Sequence, residues 1–169
     1  MKIILINGKA RSGKDTLASM IKGKLGDKKV LVRGNAQSVK DCAFRYFNWN
    51  GEKDTKGRQL LIDITNLGYS QDPYHWDRMT LEYALKRDNY DYLIITDWRY
   101  MSTYEYLKSE GYEPITIYRQ RDIDNELHES LKNDISEQKF NITYDLEVLG
   151  DITSNSLVID HIMTIIEGK

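Results

Sequence analysis

One cysteine, two prolines and three histidines are all that these 169 residues hold of those types. A single thiol, Cys42, excludes an internal disulfide and fits a reducing compartment, where it reads as a small packing residue rather than a nucleophile. His75 has no second histidine or cysteine at ligand spacing, which excludes a zinc site built on it. So few prolines, beside 40% hydrophobic residues, argue for a folded globule rather than a disordered chain. Neither sign of charge prevails. A net charge of −2 excludes the global basic field that holds nucleic acid, so stable nucleic-acid binding is not expected and an anionic ligand must be caught by local basic residues. Long hydrophobic runs are missing too. The opening one, Ile3 to Ile6, is too short for a signal core or a membrane span, and a soluble cytoplasmic protein with no membrane partner is expected.

Repeats, low-complexity stretches and linkers are also lacking, so residues 1–169 read as one domain. Strand-like runs cover Lys2–Asn7, Lys29–Arg33, Tyr92–Thr96, Pro114–Tyr118 and Leu146–Leu149. Helical periodicity fits Lys14–Leu25, Ala36–Phe47, Lys56–Asn66, Tyr74–Arg87, Thr103–Glu110 and Ser156–Glu167, with Gly26, Gly51, Gly68, Pro73, Gly111 and Gly150 as breakers. Alternating strands and helices with nearly continuous apolar strands predict an α/β fold. It is a three-layer arrangement, a five-stranded, mainly parallel sheet with helices on both faces. Ligands of such sheets sit at the C-terminal strand ends. Two excursions interrupt the rhythm. Residues 35–90 are expected to hold an acceptor, and residues 119–140, with a charged helical stretch to about Gln138, are expected to form a lid.

What is present at the N-terminus is specific. Gly8-Lys-Ala-Arg11-Ser12-Gly13-Lys14-Asp15-Thr16 joins the first strand to the first helix. This strand, glycine-framed loop and helix make the P-loop context that cradles nucleotide phosphates. The glycines let successive amides point inward around an anion, the helix terminus adds a favourable dipole, and Lys14 adds a point charge. Gly8, Arg11, Ser12, Gly13, Lys14, Asp15 and Thr16 are therefore the expected contacts of ATP. Asp15 stands where serine or threonine usually ligates magnesium. Its carboxylate suits the hard Mg2+ ion, as does the Thr16 hydroxyl. The plain alternative is a glycine-rich turn capped by Asp15.

Further candidates follow the strands. Asp97 ends the third strand, where a second acid on the magnesium side is expected, and Arg99 two residues on can fork onto a phosphate. A structural Asp–Arg pair is the alternative. Arg119 and Arg121 follow the fourth strand and can close over a transferring phosphoryl group, or can be a solvated edge. Arg58, near a helix start, suits an acceptor phosphate, or is an exposed basic turn. Lys40 is a weaker candidate on the second helix. Trp76 can stack on a base or pack the core.

These pieces, in this order, resemble the bacteriophage deoxynucleoside monophosphate kinases. The P-loop is similar to their Gly-Lys-x-x-Ser-Gly-Lys-Asp-Thr loop. Ala36–Lys40 resembles their Ala-x-x-x-Lys helix start, and Arg58-Gln-Leu-Leu with Gly68 their Arg-x-x-Leu-Gln…Gly segment. Asp72…Trp76 resembles their Asp…Trp, Asp97-Trp-Arg99-Tyr100 their Asp-x-Arg-Phe, and His128-Glu-Ser130 their His-x-Ser-Glu. Leu131 departs from the last acid, and Ile62-Asp63 falls near the expected glutamine. The resemblance implies transfer of the γ-phosphate of ATP, with Mg2+, to a nucleoside monophosphate. It also implies a phage origin in host cytosol and leaves room for a dimer. On this reading Lys14, Asp97, Arg99, Arg119 and Arg121 are catalytic. Lys40, Arg58, Trp76, Asp97 and Arg99 bind the acceptor, and Asp15, Thr16 and Asp97 hold the metal. A kinase of another small phosphorylated metabolite, such as phosphomevalonate, shares the Ser-Gly-Lys-Asp loop. A non-catalytic nucleotide-binding module is a further alternative, and a polynucleotide end kinase would need a basic channel.

Overall fold

The computed structural model describes residues 1–121, 139–152 and 156–168. Five strands form one sheet, all parallel, in the order β2-β3-β1-β4-β5. They are β1 Lys2–Asn7, β2 Val30–Val32, β3 Tyr92–Ile95, β4 Ile115–Gln120 and β5 Leu146–Leu149. The helices are α1 Lys14–Lys24, α2 Asn35–Phe47, α3 Thr55–Gln71, α4 His75–Arg87, α5 Met101–Ser109 and α6 Ser156–Gly168. Ile3 through Ile6 are buried on both faces of β1, which puts this strand at the middle of a covered sheet. One face packs on α1 and α6 through Leu17, Ile21, Ile159, Ile162 and Ile166. The opposite face packs on α4 and α5 through Leu81, Ala84, Tyr106 and Leu107. No described helix is long and apolar enough to cross a membrane.

Residues 35–90 form a helical annex of α2, α3 and α4 with its own small core of Val39, Ala43, Trp49, Ile64 and Trp76. Here α3 corrects the sequence expectation. Gly68 does not break it; the helix runs on to Gln71. A side chain at Gly68 would put its Cβ 2.5 Å from Nε1 of Trp76, so the residue is there for close helix packing. The α3 start is set by Asp54, whose carboxylate accepts from the Gly57 amide at 2.7 Å.

β4 also differs from its expected span. It extends through Arg119 and Gln120, because Arg119 and Gln120 lie in register with Val148 and Leu149 of β5. The helical stretch expected to about Gln138, most of the expected lid and the His128–Leu131 segment lie outside the described residues.

Candidate active site

β1 delivers the loop. Asn7 ends the strand with its side chain buried, donating to the Trp98 carbonyl at 3.0 Å and accepting from the Tyr144 hydroxyl at 2.8 Å. Burial pushes the Tyr144 phenol up to about 12, so it stays a proton donor at neutral pH. The loop then turns on residues in the left-handed region: Gly8 at φ 149°, Arg11 at 62° and Gly13 at 88°. A Cβ on Gly8 would lie 2.1 Å from the Arg119 carbonyl oxygen, so glycine alone lets β4 pass beside the loop. Gly13 caps α1 with no side-chain hydrogen bond to its first turn. The Lys14 ammonium is folded onto the loop, donating to the carbonyls of Gly8 at 2.5 Å and Lys9 at 2.7 Å. Ser12 Oγ is buried with no hydrogen-bond partner. An unmet polar atom, a bare helix terminus and a glycine-lined turn suit the phosphates of ATP, which bring the missing acceptors.

Beside the loop lies a pocket of about 640 Å³ at the C-terminal strand ends. Six cationic side chains line it, namely Arg11, Lys14, Arg33, Lys40, Lys53 and Arg99, against the acids Asp15 and Asp97. Such an excess favours an anionic guest. Of the sequence candidates, the structure thus brings Arg11, Lys14, Asp15, Lys40, Asp97 and Arg99 together. Thr16 faces elsewhere, lining a small cavity with Gly13, Arg119 and Arg121. The three expected metal ligands are therefore not on one wall: Asp15 and Asp97 share a pocket and Thr16 does not. Among the described residues no group of three or more His, Cys, Asp or Glu is placed to hold a metal. Two carboxylates suit Mg2+, which keeps several waters and takes its other ligands from substrate phosphates.

Asp97 has a duty that the sequence reading did not foresee. Its carboxylate oxygens accept the amides of Asn35 at 2.9 Å and Ala36 at 2.8 Å, capping α2 from the end of β3. Gly34, the N-cap residue, has no side chain to do this, and a Cβ there would lie 2.3 Å from the same carboxylate. Arg119 is corrected more strongly. It is not on a loop free to close: it lies in β4, 2% exposed. Its guanidinium donates to the carbonyls of Gln120 at 2.5 Å, Val148 at 3.1 Å and Gly150 at 2.7 Å. Burial, and then the Arg121 charge, push its pKa down. Its Nε, without a partner, would be 3.7 Å from a Cβ on Gly13, directly beneath the loop. Arg121 is exposed just beyond the strand.

Arg58 does not line the pocket. It is exposed in the first turn of α3, and its Nε donates to the Lys53 carbonyl at 2.8 Å. Lys53 lines the pocket in its place. Trp76 is buried, its indole N–H donating to the Thr65 carbonyl at 3.0 Å. It forms, with Tyr69, Tyr100 and Thr65, the wall of a side cavity of about 170 Å³ that shares Asp97 and Arg99 with the main pocket. Beneath it, Asn35 donates to Asp77 at 2.5 Å, and burial pushes the Asp77 carboxyl up against the opposing hydrogen bonds from Thr103 and Asn35. Arg33 and Lys53 were missed. Arg33 stands directly after β2, where the strand-end rule would have found it. Lys53 has no such signal.

This is a three-layer fold of the P-loop NTPase type, and solved structures carry the same architecture. The APS kinase of Mycobacterium tuberculosis, in complex with AMPPNP and APS, superposes with a TM-score of 0.58 at 12% identity, covering 98% of this chain and 97% of that one. A cysteine variant of that kinase gives 0.56 at 13% identity, with 98% and 96% covered. At the sequence level, a phosphomevalonate kinase of Drosophila melanogaster is 28% identical over 105 residues, 59% of this chain and 56% of the relative. The match thus spans little more than half of either protein. No protein-family model matches the chain.

Proposed function

We propose that this chain is an ATP-dependent kinase that phosphorylates a nucleoside 5′-monophosphate, ribo or deoxy. The single observation that carries this reading is the shared wall: Lys14 and Asp15 belong both to the phosphate cradle and to the cation-lined pocket. A donor phosphate on the loop and an acceptor anion in the pocket would meet there. An acceptor phosphate oxygen attacks the γ-phosphorus as the bond to the β-bridging oxygen breaks, and ADP departs. Lys14 and the loop amides hold the donor, Lys40, Lys53 and Arg99 hold the acceptor in line, and Arg121 stands at the donor's far side. When bound, magnesium would neutralise the charge of the phosphates. Asp15 and Asp97 would hold it, Asp97 through water because both its oxygens already cap α2, and Thr16 would offer its hydroxyl to the donor phosphates. Arg119 is kept as a support beneath the loop. An acceptor monophosphate is already a nucleophile near neutral pH, so no general base is needed.

The side cavity walled by Tyr69, Trp76 and Tyr100 favours a planar ring on the acceptor. The second reading, a phosphomevalonate-type acceptor, is favoured by the partial likeness to the Drosophila enzyme. A coupled ADP-release screen separates them. Nucleoside monophosphates, ribo and deoxy, are tested beside phosphomevalonate and adenylyl sulfate. Acceptor-dependent ADP release with a monophosphate is expected. Release only with phosphomevalonate would move the assignment to the second reading, and release with none would leave a nucleotide-binding module.

A further inference from the structure

A larger cavity lies on the other side of Arg33 and has no part in the steps above. It opens between the edge strand β2, α2 and α4 and measures about 940 Å³. Its walls carry three guanidinium groups, those of Arg33, Arg45 and Arg87, and a single carboxylate, that of Asp41. The excess is positive in a chain whose net charge is −2. Two of these groups are pre-set against one ring: Arg33 lies 3.8 Å and Arg87 4.7 Å from the centre of Tyr83. The Arg33 side chain is only 9% exposed. Its Nη2 donates to Asp41 at 2.6 Å and Ser38 at 3.3 Å, while its Nε is buried with no partner.

A buried guanidinium short of acceptors costs desolvation that its fold does not return. An oxyanion entering from the cavity would supply what is missing, and arginine forks match phosphate oxygens. A solvated basic surface would not bury one of its guanidinium groups, as Arg33 is buried here. We propose that this outer cavity is a second anion site, taking a small phosphate-bearing metabolite between Arg33, Arg45 and Arg87. Arg33 lines the acceptor pocket as well, so an anion that re-pairs its guanidinium alters that pocket's wall. The site is thereby an effector site for the pocket; this coupling, unlike the binding itself, rests on the acceptor reading above.

Cys42 gives a direct readout, because the chain's one thiol lines this cavity and not the acceptor pocket. Its alkylation rate by N-ethylmaleimide is followed with sodium pyrophosphate as the probe, at constant ionic strength and without magnesium. Millimolar pyrophosphate is expected to slow the reaction several-fold in the wild type and equally in Lys14→Ala, whose phosphate cradle is disabled. In Arg45→Ala/Arg87→Ala the protection is expected to vanish with basal turnover unchanged. Met79→Glu, placing a negative charge at the exposed rim, is expected to weaken it independently. Absent protection in the wild type, protection undiminished in both cavity variants, or protection lost in Lys14→Ala would each overturn the site. Once an acceptor is known, its KM at saturating ATP reports the coupling. A pyrophosphate-dependent shift in the wild type but not in the double variant is expected, and an unmoved KM in the wild type would overturn the effector role alone.

Discussion

Lys14 spans two tasks with one ammonium. Its bonds to the Gly8 and Lys9 carbonyls hold the loop's shape, and the same residue lines the cationic pocket proposed for the acceptor. Lys14→Ala is expected to keep the far-ultraviolet circular dichroism of the wild type and to lose turnover by orders of magnitude in the ADP-release assay. Near-wild-type turnover would remove the lysine from the chemistry. On the proposed function, Arg99→Ala tests the other substrate. The acceptor KM should rise at least tenfold while the ATP affinity, measured by titration calorimetry, stays put; the reverse pattern would hand Arg99 to the donor. Arg119 acts by support. Truncation to alanine leaves the carbonyls of Val148 and Gly150 without their donor, and a charged hydrogen bond is worth about 1.5–3 kcal/mol. Arg119→Ala should therefore lower the urea midpoint and weaken ATP binding together, whereas a normal midpoint with only kcat lost would restore it to the transition state.

At the scale of the element, the annex of α2, α3 and α4 is where packing decides function. Gly68→Ala would force Trp76 aside, and overpacking of this kind costs about 1–3 kcal/mol. Because Trp76 walls the side cavity, the acceptor KM should rise along with that loss of stability, read from thermal melts and kinetics on the same variant; unchanged melting would show that the helices yield freely. The same annex marks how far the sequence could be read. The sheet, the loop and the helices that flank them were legible because apolar runs, glycines and periodicity all point the same way there. Gly68 was misread because a glycine marks a break and a close approach with the same letter. Arg119 was misread because one residue beyond Tyr118 changes a loop position into a strand position, and a polar side chain at a strand end carries no sign of its burial. The capping of α2 by Asp97 joins residues 61 and 62 positions apart, and no local pattern announces it. Lys40, Asp97 and Arg99 were legible by strand-end and helix-start position; Lys53 was not, since its place depends on the loop before α3, where Gly57 packs closely against the Glu52 carbonyl and the Trp49 indole.

For the molecule as a whole, the buried pair of Asn35 and Asp77 joins α2 to α4 and makes stability depend on pH. Burial raises the Asp77 pKa in the folded state above that of the unfolded chain. The folded state therefore keeps this proton longer. The contribution is complete below the unfolded value and is lost as pH rises through the folded one. Urea titrations from about pH 4 to about pH 8 should show the wild type losing part of its stability across that window, a loss absent in Asp77→Asn. Equal slopes in the two proteins would mean that Asp77 titrates normally. The sheet's order has a last consequence, for the making of the protein. β1 leaves the ribosome well before its partners β3 and β4, which begin only at residues 92 and 115. The carbonyl that seats Gly8 belongs to residue 119, and the carbonyls that anchor that arginine come from 148 and 150. A nascent chain halted before these residues emerge has the whole P-loop motif but lacks these carbonyls, and is expected not to bind nucleotide. Competence for ATP should arise in one late step of translation rather than with the motif that encodes it.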